Sequence, residues 1–259
     1  MTLTGRSALI TGGASGIGLA TATALARAGA SVAVLDLHAV GPGAVPAELG
    51  DRVLSVEADV ADAESVARGF ADAVEHLDGL DIVFSNAGMP LFGGLDELPV
   101  EEIDRAVAVN VRAPMLLLRH AVPALRERGG GSIVLNASNA GLVARHGDPV
   151  YCATKAAVVM LARSLALGLA GDRIRVNAIC PGPVDTPMLW SSVSGDRPEV
   201  QRRVLASVPL GRALGRFATP EEVAEVVAFL VSDAAAYVTG VALPIDGGKT
   251  AGLSVWEDE

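Results

Sequence analysis

The sequence predicts an α/β protein: a doubly wound, mostly parallel sheet of seven strands with helices on both faces. Two observations carry that reading. Short apolar runs of β-branched and aliphatic residues alternate with longer segments of helical period, the pattern of strands covered on both sides. No low-complexity linker divides the 259 residues, and no repeat with a period of roughly 20–50 residues is present. One domain spanning residues 1–259 is the economical organisation.

The first strand, at 7–11, runs into Thr11-Gly12-Gly13-Ala14-Ser15-Gly16-Ile17-Gly18 and then a helix over 16–28. Glycines at 12, 16 and 18 permit a tight turn and close backbone approach to a pyrophosphate, and the helix start offers unpaired N–H groups to an anion. The spacing is T-G-x-x-x-G-x-G rather than G-x-G-x-x-G, and the absence of a following Gly-Lys-Ser/Thr excludes a P-loop. By itself the turn also reads as a purely structural one.

A second strand over 31–36 ends on Asp36, whose carboxylate can accept both hydroxyls of an adenosine ribose and repel a 2′-phosphate; the plainer alternative is a cap on the chain that follows. Pro42 and Pro46 make 38–50 a loop or a broken short helix. The third strand, 52–57, leads to Asp59-Val60, suited to an adenine contact, although Asp59 alone reads as a helix N-cap. A helix over 63–76, a strand over 80–85 and a long helix over 100–126 follow. The fifth strand, 132–137, is followed directly by Ser138, which places that hydroxyl in the crevice at the carboxyl ends of the strands. A helix over 150–170, a strand over 173–179, a helix over 220–232 and a strand over 241–245 complete the alternation. The Pro- and Ser-rich stretch 181–217 is too long for a simple connection and reads as a substrate lid within 183–216.

Tyr151 and Lys155 stand at i and i+4, one turn apart on one helix face. A phenol titrates near ~10 and is a poor base at neutral pH unless a cation stabilises its phenolate. An isolated Tyr-x-x-x-Lys is more often a half-buried Tyr beside a surface Lys. Here the chain has two Tyr and two Lys in all, and one of each forms this pair, leaving Tyr237 and Lys249 as structural.

A net charge of −10 disfavours nucleic acid as a partner. Arg112 and Arg163 interrupt the longest apolar stretches, and the N-terminus has no charged segment followed by an apolar one, so no membrane partner and a cytoplasmic location are expected. Cys152 and Cys180 fit reduced thiols rather than a disulfide framework. No metal is expected.

Taken together, Thr11–Gly18, Asp36, Asp59, Asn86-Ala87-Gly88, Asn110, Ser138, Tyr151, Lys155 and Pro181-Gly182 with Thr186 resemble the short-chain dehydrogenase/reductase family over essentially the whole chain. The resemblance implies a Rossmann fold, with Tyr151 as general acid/base and Ser138 holding and polarising a substrate carbonyl. Lys155 would bind the nicotinamide ribose and lower the tyrosine pKa, and Asn110 would help hold a water of a proton relay. Gly12, Ser15, Gly16, Ile17, Gly18, Asp36, Leu37, Asp59, Val60, Asn86, Ala87, Gly88, Tyr151 and Lys155 would line the cofactor, with Pro181, Gly182, Val184 and Thr186 around the nicotinamide. Ser85 stands where many members have a second Asn. With no Arg or Lys beside the glycine turn or just after Asp36, NAD is expected over NADP.

The expected reaction is hydride transfer between NAD and a secondary alcohol or ketone. Asn139, His146, Met188 and Trp190, among Leu142, Val143, Leu189 and Val193, are the substrate candidates. Mostly apolar and with few charge clamps, they suggest a mid-sized, largely uncharged cyclic, terpenoid, steroid or sugar-like small molecule. An NADPH-dependent 3-oxoacyl-carrier reductase and a non-catalytic NAD-binding sensor are the alternatives. Helices apolar on more than one face point to a homotetramer, with a dimer as the alternative. The tail from Gly252 to Glu259 is left open between a neighbouring subunit and disorder.

Overall fold

The structure, a computed structural model, describes residues 2–192 and 198–252; Val193 of the lid and the tail beyond Gly252 lie outside them. Seven strands, β1 (Ser7–Thr11), β2 (Ser31–Asp36), β3 (Val53–Glu57), β4 (Ile82–Ser85), β5 (Gly131–Asn136), β6 (Ile174–Pro181) and β7 (Ala242–Ile245), form one sheet in the order β3-β2-β1-β4-β5-β6-β7. Every pairing is parallel. The order reverses between β1 and β4, so the chains leaving Thr11 and Ser85, paired in register, diverge to opposite sides and open a crevice at the carboxyl ends of the strands.

Alternate residues of each strand point to opposite faces, and both faces are buried. On one, Ile10, Val34, Phe84 and Val134 pack with Leu25 of α1 (Gly16–Arg27) and Val223 and Val227 of α9 (Pro220–Val231). On the other, Leu9, Leu35, Val83 and Leu135 meet α2 (Ala63–Leu77), α4 (Ala113–Glu127) and α5 (Pro149–Leu169) through Phe70, Leu117, Leu118 and Val158. Each such fully buried aliphatic side chain contributes about 1.5–3 kcal/mol. The elements start where their caps dictate. Asp62 accepts from the N–H groups of Glu64 and Ser65 at the head of α2, so Asp62, not Asp59, is that N-cap. Thr219 and Glu222 form a reciprocal capping box on α9.

Three expectations change. The continuous helix over 100–126 is α3 (Val100–Val107), a π-turn over Ala108–Arg112, and α4. The proline-broken 38–50 segment ends in a 3-10 turn, Ala47–Arg52, which delays the third strand to Val53. The lid is helical where described: α6 (Pro187–Ser192), α7 (Pro198–Ala206) and α8 (Pro209–Leu214).

By length and composition Pro149–Asp172 could cross a membrane. Its packing explains the apolarity instead: Val158, Val159, Ala162 and Ala166 are buried against the sheet, and Lys155 is buried with them. On its outer side Met160 and Leu167 are exposed, as are Val107 and Met115 on the π-interrupted pair α3 and α4.

Candidate active site

The glycine turn is held by contacts that leave no room for side chains. Gly12 sits at φ +65°, and a Cβ there would lie 2.7 Å from the Cα of Ala87, so the turns after β1 and β4 touch backbone to backbone. A Cβ on Gly18 would overlap the Gly12 carbonyl oxygen. Asn86 locks the same junction, its Nδ2 donating to the carbonyls of Thr11 and Gly12 at 3.1 and 2.7 Å, while the Thr11 hydroxyl accepts from the N–H groups of Asn86 and Ala87. Gly18→Ala is therefore expected to lower the unfolding free energy by about 1–3 kcal/mol, because the overlapping atom is backbone and cannot rotate away. Urea denaturation reads it; an unchanged midpoint would contradict the tight junction.

A cleft of about 470 Å³ runs over this turn, lined by Gly12, Ser15, Gly16, Ile17, Asp36, Leu37, Asp59, Val60, Asn86, Ala87 and Gly88. Gly18 lies behind it. Ser15 makes no side-chain cap to α1, so its hydroxyl and the first N–H groups of the helix are donors facing the cleft, the set a pyrophosphate takes. Asp36 has the local bonds of the plainer reading and acceptor capacity left over. Its carboxylate braces the turn by accepting from Ala14 N–H at 2.9 Å and caps its own loop by accepting from His38 N–H at 3.3 Å, while a carboxylate has about four acceptor sites and keeps some for a ribose. Asp59 accepts from Ala61 N–H at 2.8 Å and pairs with Arg105 at 3.4 Å. Arg105, from α3, also lines the cleft; no sequence motif marked it, since α3 is far from the glycine turn in sequence.

A second cleft of about 330 Å³ continues from the first, sharing Ile17, Asn86, Gly88, Asn136, Thr186 and Met188. Ser138, Asn139, Tyr151, Lys155, Pro181, Gly182 and Val184 line it. Ser138 leaves the end of β5, fixed by a bond accepted from Ala140 N–H at 3.2 Å. The i, i+4 spacing on α5 brings Lys155 to Tyr151, with Nζ 5.8 Å from the ring centroid. Lys155 Nζ donates to the Asn136 carbonyl at 3.0 Å. A Cβ on Gly88 would meet that ammonium and Asn110 Oδ1 at 3.2 and 3.3 Å.

Asn110 itself is 1% exposed and lines neither cleft. Its amide clamps Met89, accepting from the N–H at 2.9 Å and donating to the carbonyl at 3.0 Å, and reaches the Thr154 hydroxyl at 3.3 Å. The π-turn carries this residue, a local distortion of the kind found at functional positions.

Electrostatics here are set by burial. Desolvation pushes the Tyr151 phenol above its usual value, opposed by a hydrogen bond with Ser138 and by the Arg145 guanidinium, whose Cζ lies 5.3 Å from the ring centroid. Desolvation lowers the buried Lys155 ammonium to about 8. Cys180 is pushed up to about 11 by burial and remains a thiol; both cysteines are free.

The substrate end needs correction. His146 is exposed on its loop and lines neither cleft. Trp190 also stays out: its indole N–H donates to Asp185 at 2.7 Å and its ring meets Phe217 edge-on at 5.9 Å, pinning α6 instead. Val143 is exposed, and Leu142 packs on the core. Met188, Leu189 and Asn139 do line the cleft. So do three charged residues against the expectation of few clamps: Arg145, Asp148 and Lys249. Lys249 is thus a cleft residue rather than a structural one, carried there by the turn after β7, while Tyr237 is fully exposed. Among the described residues no group of His, Cys, Asp and Glu could hold a metal.

A nicotinamide dinucleotide fits this surface: a side-chain-free cradle at Gly12, helix-start donors, a carboxylate at the end of β2, and the buried Asn136 Oδ1, which lacks a partner and belongs to a residue lining both clefts.

Comparison with known proteins agrees. The family profile described as enoyl-(acyl carrier protein) reductase matches residues 12–250. A 2-(S)-hydroxypropyl-CoM dehydrogenase of Xanthobacter autotrophicus is 41% identical over 93% of this chain and 95% of its own. A 2,5-dichloro-2,5-cyclohexadiene-1,4-diol dehydrogenase of Sphingobium indicum is 39% identical over 97% of this chain and 98% of its own. Among solved structures, a 3-ketoacyl-(acyl-carrier-protein) reductase from Brucella melitensis, complexed with NADH, superposes with a TM-score of 0.87 at 35% identity, covering 96% of this chain and all of that one.

Proposed function

From a chain that belongs to the short-chain dehydrogenase/reductase family and is an oxidoreductase, we propose an NAD-dependent enzyme that oxidises a secondary alcohol to a ketone and runs the reverse step when the ratio of cofactor forms demands it. The carrying observation is that Ser138, Tyr151 and Lys155 line a cleft continuous with the glycine turn and Asp36. The nicotinamide, when bound, takes or returns the hydride.

The chain supplies the rest. Tyr151, as phenolate, removes the alcohol proton, and the Ser138 hydroxyl donates to the substrate oxygen as charge develops on it. Lys155 holds ribose hydroxyls and places a positive charge beside the phenolate. Asn110 fixes Met89 through both atoms of its amide, keeping the wall beside Gly88 and the Lys155 ammonium rigid. The apolar lining from Pro90, Phe92 and Leu189 suits a substrate body of the cyclic or terpenoid kind.

Asp36 supports NAD over NADP, since its carboxylate would face a 2′-phosphate while Arg105, the cation lining that cleft, is already paired with Asp59. The similar Brucella melitensis reductase, complexed with NADH, points the same way. The test is affinity for NADH against NADPH together with a panel of secondary alcohols. NADH is expected to bind at least about tenfold tighter. Tighter NADPH with turnover of 3-oxoacyl carriers alone would point instead to a carrier-ketone reductase, the activity for which that neighbour is named.

A further inference from the structure

The substrate cleft carries two cations that hydride transfer does not require. Arg145, from the loop before α5, and Lys249, from the turn after β7, line it with Ser138 and Tyr151. Arg145 gives one arm to Asp148 at 3.1 Å, and its Nε is buried without a hydrogen-bond partner. Lys249 Nζ donates to the Ser207 hydroxyl at 2.9 Å; an ammonium has three donors, so this bond alone does not satisfy it. Of the nearby carboxylates, Asp246 accepts from the N–H groups of Gly248 and Thr250 at 3.1 and 3.0 Å, and Asp148 is paired with Arg145. Burial and the charge of Arg145 both pull the Lys249 ammonium below its usual value, with Asp246 opposing. Like charges held this way in a partly desolvated cleft gain from a counter-ion between them.

Building on the oxidoreductase reading, we propose that Arg145 and Lys249 form an anion subsite in the substrate cleft, so that the substrate is a hydroxy or keto compound with an apolar body and one acid group, a carboxylate or an oxyanion of similar size. Pro90, Phe92, Val200 and Val204 along the same cleft take the apolar body. The two cations orient the acid group, and that orientation sets which carbinol carbon reaches Tyr151. A guanidinium suits this task because its planar fork can give Asp148 one arm and an acid another.

Binding without turnover tests it. Cyclohexanecarboxylate and the isosteric, neutral cyclohexanecarboxamide are titrated calorimetrically at pH 7 into the full chain, with and without saturating NADH. The carboxylate is expected to bind roughly tenfold tighter, the worth of one charge-assisted hydrogen bond. Lys249→Met should erase that preference and Lys249→Arg should keep it. Asp148→Asn, which removes the competing carboxylate from Arg145, should increase it. Equal affinity of the wild type for acid and amide, failure to bind either, or a preference undiminished in Lys249→Met overturns the subsite. A parallel turnover panel separates the two readings. Oxidation of neutral alcohols but not hydroxy acids overturns the subsite and leaves the oxidoreductase; an intact acid preference with no turnover of any alcohol or ketone overturns the oxidoreductase alone.

Discussion

Tyr151→Phe is expected to lower kcat by roughly 10²–10⁴-fold, the contribution of a positioned general acid/base, while NADH affinity stays within about threefold of wild type. The change deletes one oxygen and keeps the ring that lies near Arg145 and Lys155, so cofactor affinity should persist. What disappears is the group that accepts the alcohol proton, along with its hydrogen bond to Ser138. Stopped-flow formation of NADH with any accepted alcohol gives the rate, and fluorescence titration gives the affinity. If wild type and variant were equally inactive on a broad alcohol and ketone panel while both bound NADH, the chain would be a nucleotide sensor on an enzyme fold.

Lys155→Met should cost about 10²–10³-fold in kcat/KM for NAD, comparable to losing a preorganised electrostatic contact in a water-poor site. The ammonium is buried, held by the Asn136 carbonyl at 3.0 Å, and lowered to about 8 by desolvation. Two pH signatures follow. Because the ammonium form binds the ribose, wild-type kcat/KM for NAD should fall as pH rises through about 8, a break absent from the variant. Stability runs in the opposite sense. The folded pKa lies below the usual 10.5, so over that interval the unfolded chain binds more protons, and wild-type stability should rise with pH across it. At pH 7 the wild type carries the full penalty of a buried charge, and the variant should unfold at an equal or higher urea concentration. A variant clearly less stable at pH 7, with the break at pH 8 retained, would mean that Lys155 acts only through packing.

The activity and stability effects of this residue are therefore expected to oppose each other, as where a charge is kept in a core for chemistry. Asn110 lies on the other side of the balance: its amide is satisfied by Met89 and Thr154, so the role proposed for it is exerted through the backbone it holds.

Much of the fold around the glycine turn was legible beforehand. Period and composition separate strands from helices when both sheet faces are buried, because every strand then reads as an apolar run and every helix as a longer amphipathic one. Tyr151 and Lys155 could be paired because four residues along a helix is one turn, a distance set by local geometry. The π-turn at Asn110 was not legible, since one extra residue in a turn leaves the apolar period almost unchanged. Nor was Arg105, whose partner Asp59 comes from the far side of α2.

The sequence by itself determined the doubly wound sheet, the glycine turn with Asp36, and the order Ser138, Tyr151, Lys155 along the crevice, because each rests on short-range spacing or on strand ends that parallel topology forces to one side. Only the tertiary structure decided the substrate wall. It turned His146 to solvent, tied Trp190 to Asp185 and Phe217, and brought Arg145 and Lys249 to one cleft. Loop side chains have no period that reports the way they face, and two residues joined by the docking of β7 beside β6 share no local pattern that a reader of the chain could see.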